Sequence, residues 1–133
     1  MEINETDVIT FRGGLKGFED QEKYILLNNN DTEDPVPFMW LQSVDDPKLT
    51  FVVSIPFFLD STYEFDIPDE TCEALGVKKP DEVGIYSICR IRDTVEEMTV
   101  NLASPLVINA NTHIGMQVML YDTNYTVDEK VKK

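Results

Sequence analysis

Histidine is nearly missing from this 133-residue chain, where His113 is the one imidazole. A lone imidazole flanked by Thr112 and Ile114 has no sequence-adjacent partner with which to act as a base or to share a metal. Cysteine is scarce as well. Cys72 and Cys89 are too far apart for a metal-binding pair, and they read as a helix-face and a strand residue serving as small apolar groups. Gly13-Gly14 and Gly17 follow a strand, but no Walker, dinucleotide or nucleophile-elbow pattern accompanies them, so a tight turn is their simplest role. No apolar run approaches the ~20 residues that cross a bilayer. The opening Met1-Glu2-Ile3-Asn4-Glu5 is acidic and polar, unlike a secretory leader. The expectation is a cytoplasmic protein with reduced thiols, no metal, no cofactor and no enzymatic activity.

Positive charge is also short. Eleven Lys and Arg face 25 Asp and Glu, a net charge of -14 and a pI near 4.2. Phosphate backbones and anionic lipid repel such a surface, which argues against direct nucleic-acid binding and against membrane binding. A basic protein partner is favoured, because charge of this size speeds encounter. No Lys or Arg occurs between Lys48 and Lys78, and that gap holds Asp60, Glu64, Asp66, Asp69, Glu70 and Glu73.

The chain does hold enough apolar residues, 42%, for a core without staples. Strand signals dominate. Short β-branched and aromatic runs occupy residues 8–11, 22–28, 38–44, 49–55, 63–67, 83–91, 98–102, 106–109 and 115–121. Residues 29–37 form a polar loop. Asp45-Asp46-Pro47-Lys48 predicts a hairpin turn, since proline pre-sets φ there. Phe38-Met39-Trp40-Leu41 lacks polar alternation and reads as a central core strand. Tyr63, Phe65 and Ile67 alternate with Glu64 and Asp66, the pattern of a half-buried strand. Pro105 marks a break or an edge. One helix is predicted, with Asp69 as its N-cap and Gly76 after its last turn. The expected architecture is all-β and mainly antiparallel: a small barrel-like or sandwich domain over residues 1–127 with one short helix, then a charged, frayed tail over 128–133.

Pro56-Phe57-Phe58-Leu59 ends a strand and enters a loop. Consecutive phenylalanines cannot both face one core from extended chain, so at least one lies at the surface or packs under a loop, beneath the helix predicted over 69–75. Aromatics rimmed by Asp60 and Glu64 suit a protein-binding patch. The candidate contact residues are Pro56, Phe57, Phe58, Asp60, Tyr63, Glu64 and Asp66. Two other classes fit the same residues. One is a carboxylate-based hydrolase, which needs a deep pocket with perturbed acids. The other is a barrel holding a small apolar ligand, which needs an interior cavity. An oligonucleotide-binding barrel would need a basic groove.

Several segments, in order, resemble the family of the flagellar assembly factor FliW. Phe11 and Gly14-Leu15-Lys16-Gly17-Phe18-Glu19 are similar to the family's early loop, with Lys16 where proline is usual. Leu41-Gln42-Ser43 through Pro47, Phe51-Val52-Val53 and Pro56 match its hairpin, and Tyr63-Glu64-Phe65-Asp66 its Tyr-Glu-Phe motif. Thr99-Val100-Asn101-Leu102-Ala103-Ser104-Pro105-Leu106-Val107-Ile108-Asn109 resembles its longest signature, with Val100 for the usual alanine; Gly115, Gln117, Leu120 and Tyr125 follow in order. The resemblance implies a small β-barrel-like domain, a monomer when free, whose partners are flagellin and the translational repressor CsrA. Flagellin occupies the factor; once flagellin is exported, the free factor captures CsrA and relieves repression of flagellin synthesis.

Overall fold

β-branched and aromatic residues at period two form nine strands among the described residues: β1 (Val8–Phe11), β2 (Lys23–Asn28), β3 (Phe38–Ser43), β4 (Thr50–Ser54), β5 (Val83–Arg90), β6 (Thr99–Val100), β7 (Leu106–Asn109), β8 (Ile114–Gln117) and β9 (Glu129–Lys130). The computed structural model describes residues 8–28, 38–90, 98–120 and 123–130, and only the backbone of Asn28, Phe58, Leu59 and Pro80. The expected loop at 29–37, and the parts of the expected strands and tail at 91, 121 and 131–133, lie outside the described residues.

The strands run in the order β4-β3-β2-β1-β8-β7-β5, and a β4–β5 pairing closes them into a seven-stranded barrel. Closure removes most of the exposed edge that an open sheet would present. β1 and β8 are parallel; the other pairings are antiparallel. β6 and then β9 extend the sheet from the end of β5. Pro105 stands in the break between β6 and β7, both of which pair with β5. Asp45 to Lys48 make the predicted turn: Lys48 N–H donates to Asp46 Oδ1 at 3.0 Å and Asp46 N–H to Ser43 Oγ at 3.1 Å.

The barrel interior is filled by Ile9, Phe11, Tyr24, Leu26, Met39, Leu41, Val53, Tyr86, Leu106 and Ile108, with Leu15 of the early loop beside them. Gly14 makes that loop fit. Its φ is 71°, and a Cβ there would come within 2.6 Å of the Glu19 backbone. Two apolar clusters lie outside the barrel wall. One gathers Tyr63, Cys89, Met98, Val100 and Leu102; the other gathers Leu75, Val107 and Val118.

Five expectations need correction. Trp40 is not in the core but 40% exposed, because the pleat of β3 sends Met39 and Leu41 inward and Trp40 outward. Residues 63–67 keep their alternation but join no ladder. The barrel already closes through β4 and β5, so this segment crosses the outer wall and buries Tyr63 in one exterior cluster and Ile67 against the other. Pro56 to Leu59 is no loop but a one-turn helix, α1 (Pro56–Leu59). Proline at its first position needs no N–H partner, and Asp60 N–H closes the turn on the Pro56 carbonyl at 2.9 Å. In the predicted helix, α2 (Asp69–Leu75), Pro68 holds the N-cap position and Asp69 is the first helical residue, where its charge complements the helix dipole. Gly76 ends α2 with φ 69°, as predicted. Asp128 to Lys130, expected in a frayed tail, are built into the fold: Thr99↔Lys130 and Val100↔Glu129 pair, and Asp128 meets Arg90 at 3.7 Å.

Candidate protein-docking site

Where β4 stops and α1 begins, the chain leaves the barrel wall, crosses back over it as the extended segment 63–67, and enters α2. Between this crossing and the start of β5 lies an apolar cavity of about 450 Å³, lined by Ile55, Phe57, Phe65, Ile67, Ile85 and their neighbours, with Glu64 as the one charged residue among the described residues that line it. A second groove of about 380 Å³ runs along the other side of the crossing, lined by Glu64, Phe65, Asp66, Pro68, Met119, Leu120 and Thr123. Among the described residues, neither is lined by Lys or Arg.

A ladder of aromatic rings sets the position of the crossing. Tyr63 is 3% exposed and lies 4.7 Å from Tyr125, 5.4 Å from Phe65 and 5.8 Å from Phe57, centroid to centroid. Its hydroxyl donates to the Leu102 carbonyl at 2.8 Å, and Glu64 N–H donates to the Tyr125 hydroxyl at 3.1 Å. Burial, then the nearby Tyr125 and Glu129, hold the Tyr63 phenol well above its ordinary range, so it stays a donor.

The seven residues singled out in the sequence divide by exposure. Phe57 is 44% exposed at the mouth of the cavity, and Glu64 and Asp66 are exposed along the crossing. Pro56 and Tyr63 are buried supports. Asp60, expected on the rim, is 8% exposed, and its Oδ1 accepts from the Thr62 amide at 3.0 Å and the Thr62 hydroxyl at 2.6 Å. It shapes the turn from α1 into the crossing. The Phe58 side chain lies outside the described residues. The sequence reading missed Ile55, Phe65, Ile67 and Ile85 as lining. Phe65 carried a signal, the alternation at 63–67, but it pointed to a core rather than to a wall shared by core and cavity. Met119 and Leu120 carried none.

Among the described residues, no group of three or more His, Cys, Asp or Glu is placed to hold a metal ion, and no helix is long and apolar enough to cross a membrane. Glu64 and Asp66 are exposed neighbours on one face of the crossing, the placement of a charged rim rather than of an enclosed acid–base pair.

The chain as a whole was compared with known proteins. The family model described as FliW protein matches residues 1–131. A flagellar assembly factor FliW from Alkaliphilus metalliredigens is 39% identical over 137 residues, covering 100% of this chain and 83% of the relative. One from Geobacillus thermodenitrificans is 38% identical over 131 residues, covering 98% and 88%. A crystal structure of the flagellar assembly factor FliW superposes with a TM-score of 0.86 at 38% identity, covering 98% of this chain and 89% of that one.

Proposed function

The chain belongs to the FliW family of flagellar assembly factors, and from that membership we propose that it works by binding proteins, with no chemistry of its own, in the cytoplasm. Flagellin is one partner. The RNA-binding repressor CsrA is the other, captured when flagellin has left, so that flagellin synthesis is relieved of repression. The observation that carries this reading is an apolar cavity opening at the surface under carboxylates, with no cation among the described residues that line it. Phe57 and Phe65 offer desolvated aromatic anchorage, and Glu64 and Asp66 offer charge to a basic partner. A body of net charge -14 docked beside an RNA site raises the cost of bringing phosphate there, within a screening length of about 8 Å at physiological salt.

The test uses purified flagellin and CsrA with the double variant Glu64→Lys/Asp66→Lys. Both carboxylates are exposed, so the variant folds. It is expected to relieve CsrA–RNA binding about tenfold less effectively than the parent chain, with a weaker dependence on salt. Undiminished antagonism by the folded variant removes this site from the mechanism. Failure of the parent chain to bind either protein removes the mechanism itself.

A further inference from the structure

The closed barrel opens where β4 leaves β5. β5 pairs with β4 only over Ser87, Ile88 and Cys89; β4 ends at Ser54, and Pro56 turns the chain away into α1. On the other edge β5 is paired along Val83 to Tyr86 by β7, and near its far end by β6. The direction of the remaining groups follows from this register. The Glu82 carbonyl accepts from Ala110 N–H and the Ile88 carbonyl from Asn101 N–H, both on the β7–β6 edge. Amide and carbonyl groups alternate edges along a strand, so the Val83 carbonyl and both groups of Ile85 point to the edge that β4 has left, while the Val83 amide closes the one-turn helix Pro80–Glu82. No hydrogen bond reaches those three groups among the described residues.

Opposite it runs the crossing, which also has backbone to offer. The amides of Phe65, Asp66 and Ile67 donate to nothing among the described residues, while the Glu64 amide is taken by Tyr125. Because Glu64 uses the side facing Tyr125, alternation turns Phe65 and Ile67 toward the cavity. The cavity of about 450 Å³ therefore lies between two stretches of open backbone. Gly84 stands in the middle of the β5 stretch, where a Cβ would come within 3.0 Å of the Tyr86 ring.

From this we infer that the slot takes an extended segment of a partner protein as an added strand, in the line that β4 would have followed. The segment has alternating apolar and basic residues. Main-chain hydrogen bonds go to Val83 and Ile85, an apolar side chain seats against Ile55, Phe57 and Phe65, and a Lys or Arg reaches Glu64. This specifies the partner's chemistry at the docking site of the preceding section and rests on that reading. A helix in the same groove would satisfy the apolar walls but leave the open amides unused.

The experiment titrates the full chain with a blocked hexapeptide, Lys-Val-Lys-Ile-Lys-Val, and with the same sequence N-methylated at its apolar residues. Amide hydrogen exchange and peptide affinity are read together. Placing the change in the ligand leaves the folding of the protein untouched. The expected result is slowing of the Ile85 amide by about tenfold or more with the plain peptide, and about tenfold weaker binding of the methylated one. Binding that shifts Phe57 and Phe65 but leaves the Ile85 amide exchanging freely, with methylation without effect, overturns strand addition and leaves the docking reading standing. So does the absence of any binding at millimolar peptide, because flagellin and CsrA binding are judged separately with the Glu64→Lys/Asp66→Lys variant. Protection of Ile85 in the free chain, rising with its concentration together with a dimer in sedimentation, assigns the edge to a second copy and overturns the inference.

Discussion

Residues 99–109 and residues 55–68 lie on the same barrel wall and treat their polar groups in opposite ways. In the first stretch nearly every group is used inside the molecule. Thr99 and Val100 pair with β5 on one side and β9 on the other, Leu102 and Ala103 donate to the Thr126 carbonyl, and the Asn101 side chain accepts from the Ser104 amide at 2.9 Å. β7 is buried along its whole length. In the second stretch three consecutive amides find no partner among the described residues, Phe57 is exposed, and Glu64 and Asp66 reach into solvent. The longest signature of the family lies in the satisfied stretch. Its asparagines explain why: they act on the fold and line neither the cavity nor the groove described above, so the part of the chain that announces the family is the part that builds the barrel.

The sharpest way to break this contrast is at Asn109. Its amide nitrogen donates to the Leu75 carbonyl at the end of α2 at 2.7 Å, and its Oδ1 accepts from the Asn111 and Thr112 amides at 2.9 and 3.2 Å. One buried side chain therefore ties a helix end to a strand turn. Asn109→Ala leaves a buried carbonyl and two amides without partners and is expected to cost about 3 kcal/mol of stability, read by urea denaturation. A loss below about 1 kcal/mol would show that the signature is not architectural in the sense argued here.

The opposite outcome is expected at Phe57. Truncating an exposed ring at the mouth of the cavity removes an anchor and little packing. Phe57→Ala is expected to weaken flagellin or CsrA binding about twentyfold, about 1.8 kcal/mol, while changing stability by less than about 1 kcal/mol. Calorimetric titration beside urea denaturation separates the two. A variant that binds normally and unfolds easily would move Phe57 to the architectural side.

The two regions were also unequally legible. The hairpin turn at Asp45 to Lys48, the Gly76 cap and the break at Pro105 could be read because turn chemistry is local: proline and glycine restrict φ wherever the chain goes. The face of Trp40 could not, because Phe38-Met39-Trp40-Leu41 is apolar on both sides and an unbroken run does not show which parity faces in. Alternation at 63–67 reported correctly that Tyr63 is buried and Glu64 exposed, but alternation says nothing of whether a strand has a neighbour. That missing neighbour leaves three of its amides without a partner among the described residues. Asp60 failed differently. Residue type announced a carboxylate, but its consumption by Thr62, two residues on, is a matter of turn geometry.

Tyr63 joins the two regions, and a smaller effect is expected there. Its ring belongs to the aromatic ladder beneath the cavity, while its hydroxyl serves the Leu102 carbonyl of the signature. Tyr63→Phe keeps the ring and removes one buried hydrogen bond, for an expected loss of about 1.5 kcal/mol in stability with partner affinity unchanged within about twofold. Affinity that falls in step with stability would mean that the cavity and the signature act as one unit.

The smallest effect is expected from pH, and it comes from buried thiol and phenol groups, with the Tyr63 phenol that joins the two regions among them. Burial pushes the Cys89 thiol from 9.0 up to about 12; burial, then the charge of Asp20, pushes Tyr24 from 10.0 up to about 12; and burial raises Tyr86 as well. In each case the unfolded chain loses its proton at lower pH than the folded one. The contribution to stability is therefore complete below pH ~9, where both states are protonated, and declines as pH rises toward 12. Urea denaturation is expected to show no change from these groups between pH 7 and about 8.5 and a falling limb above pH ~9.5. Cys89→Ala should make that limb shallower, because one of the groups responsible is gone, whereas Glu64→Lys/Asp66→Lys should leave its slope unaltered. A limb that flattens in the charge-reversal variant, and not in Cys89→Ala, would place the titrating groups on the docking side and undo the division between the two stretches.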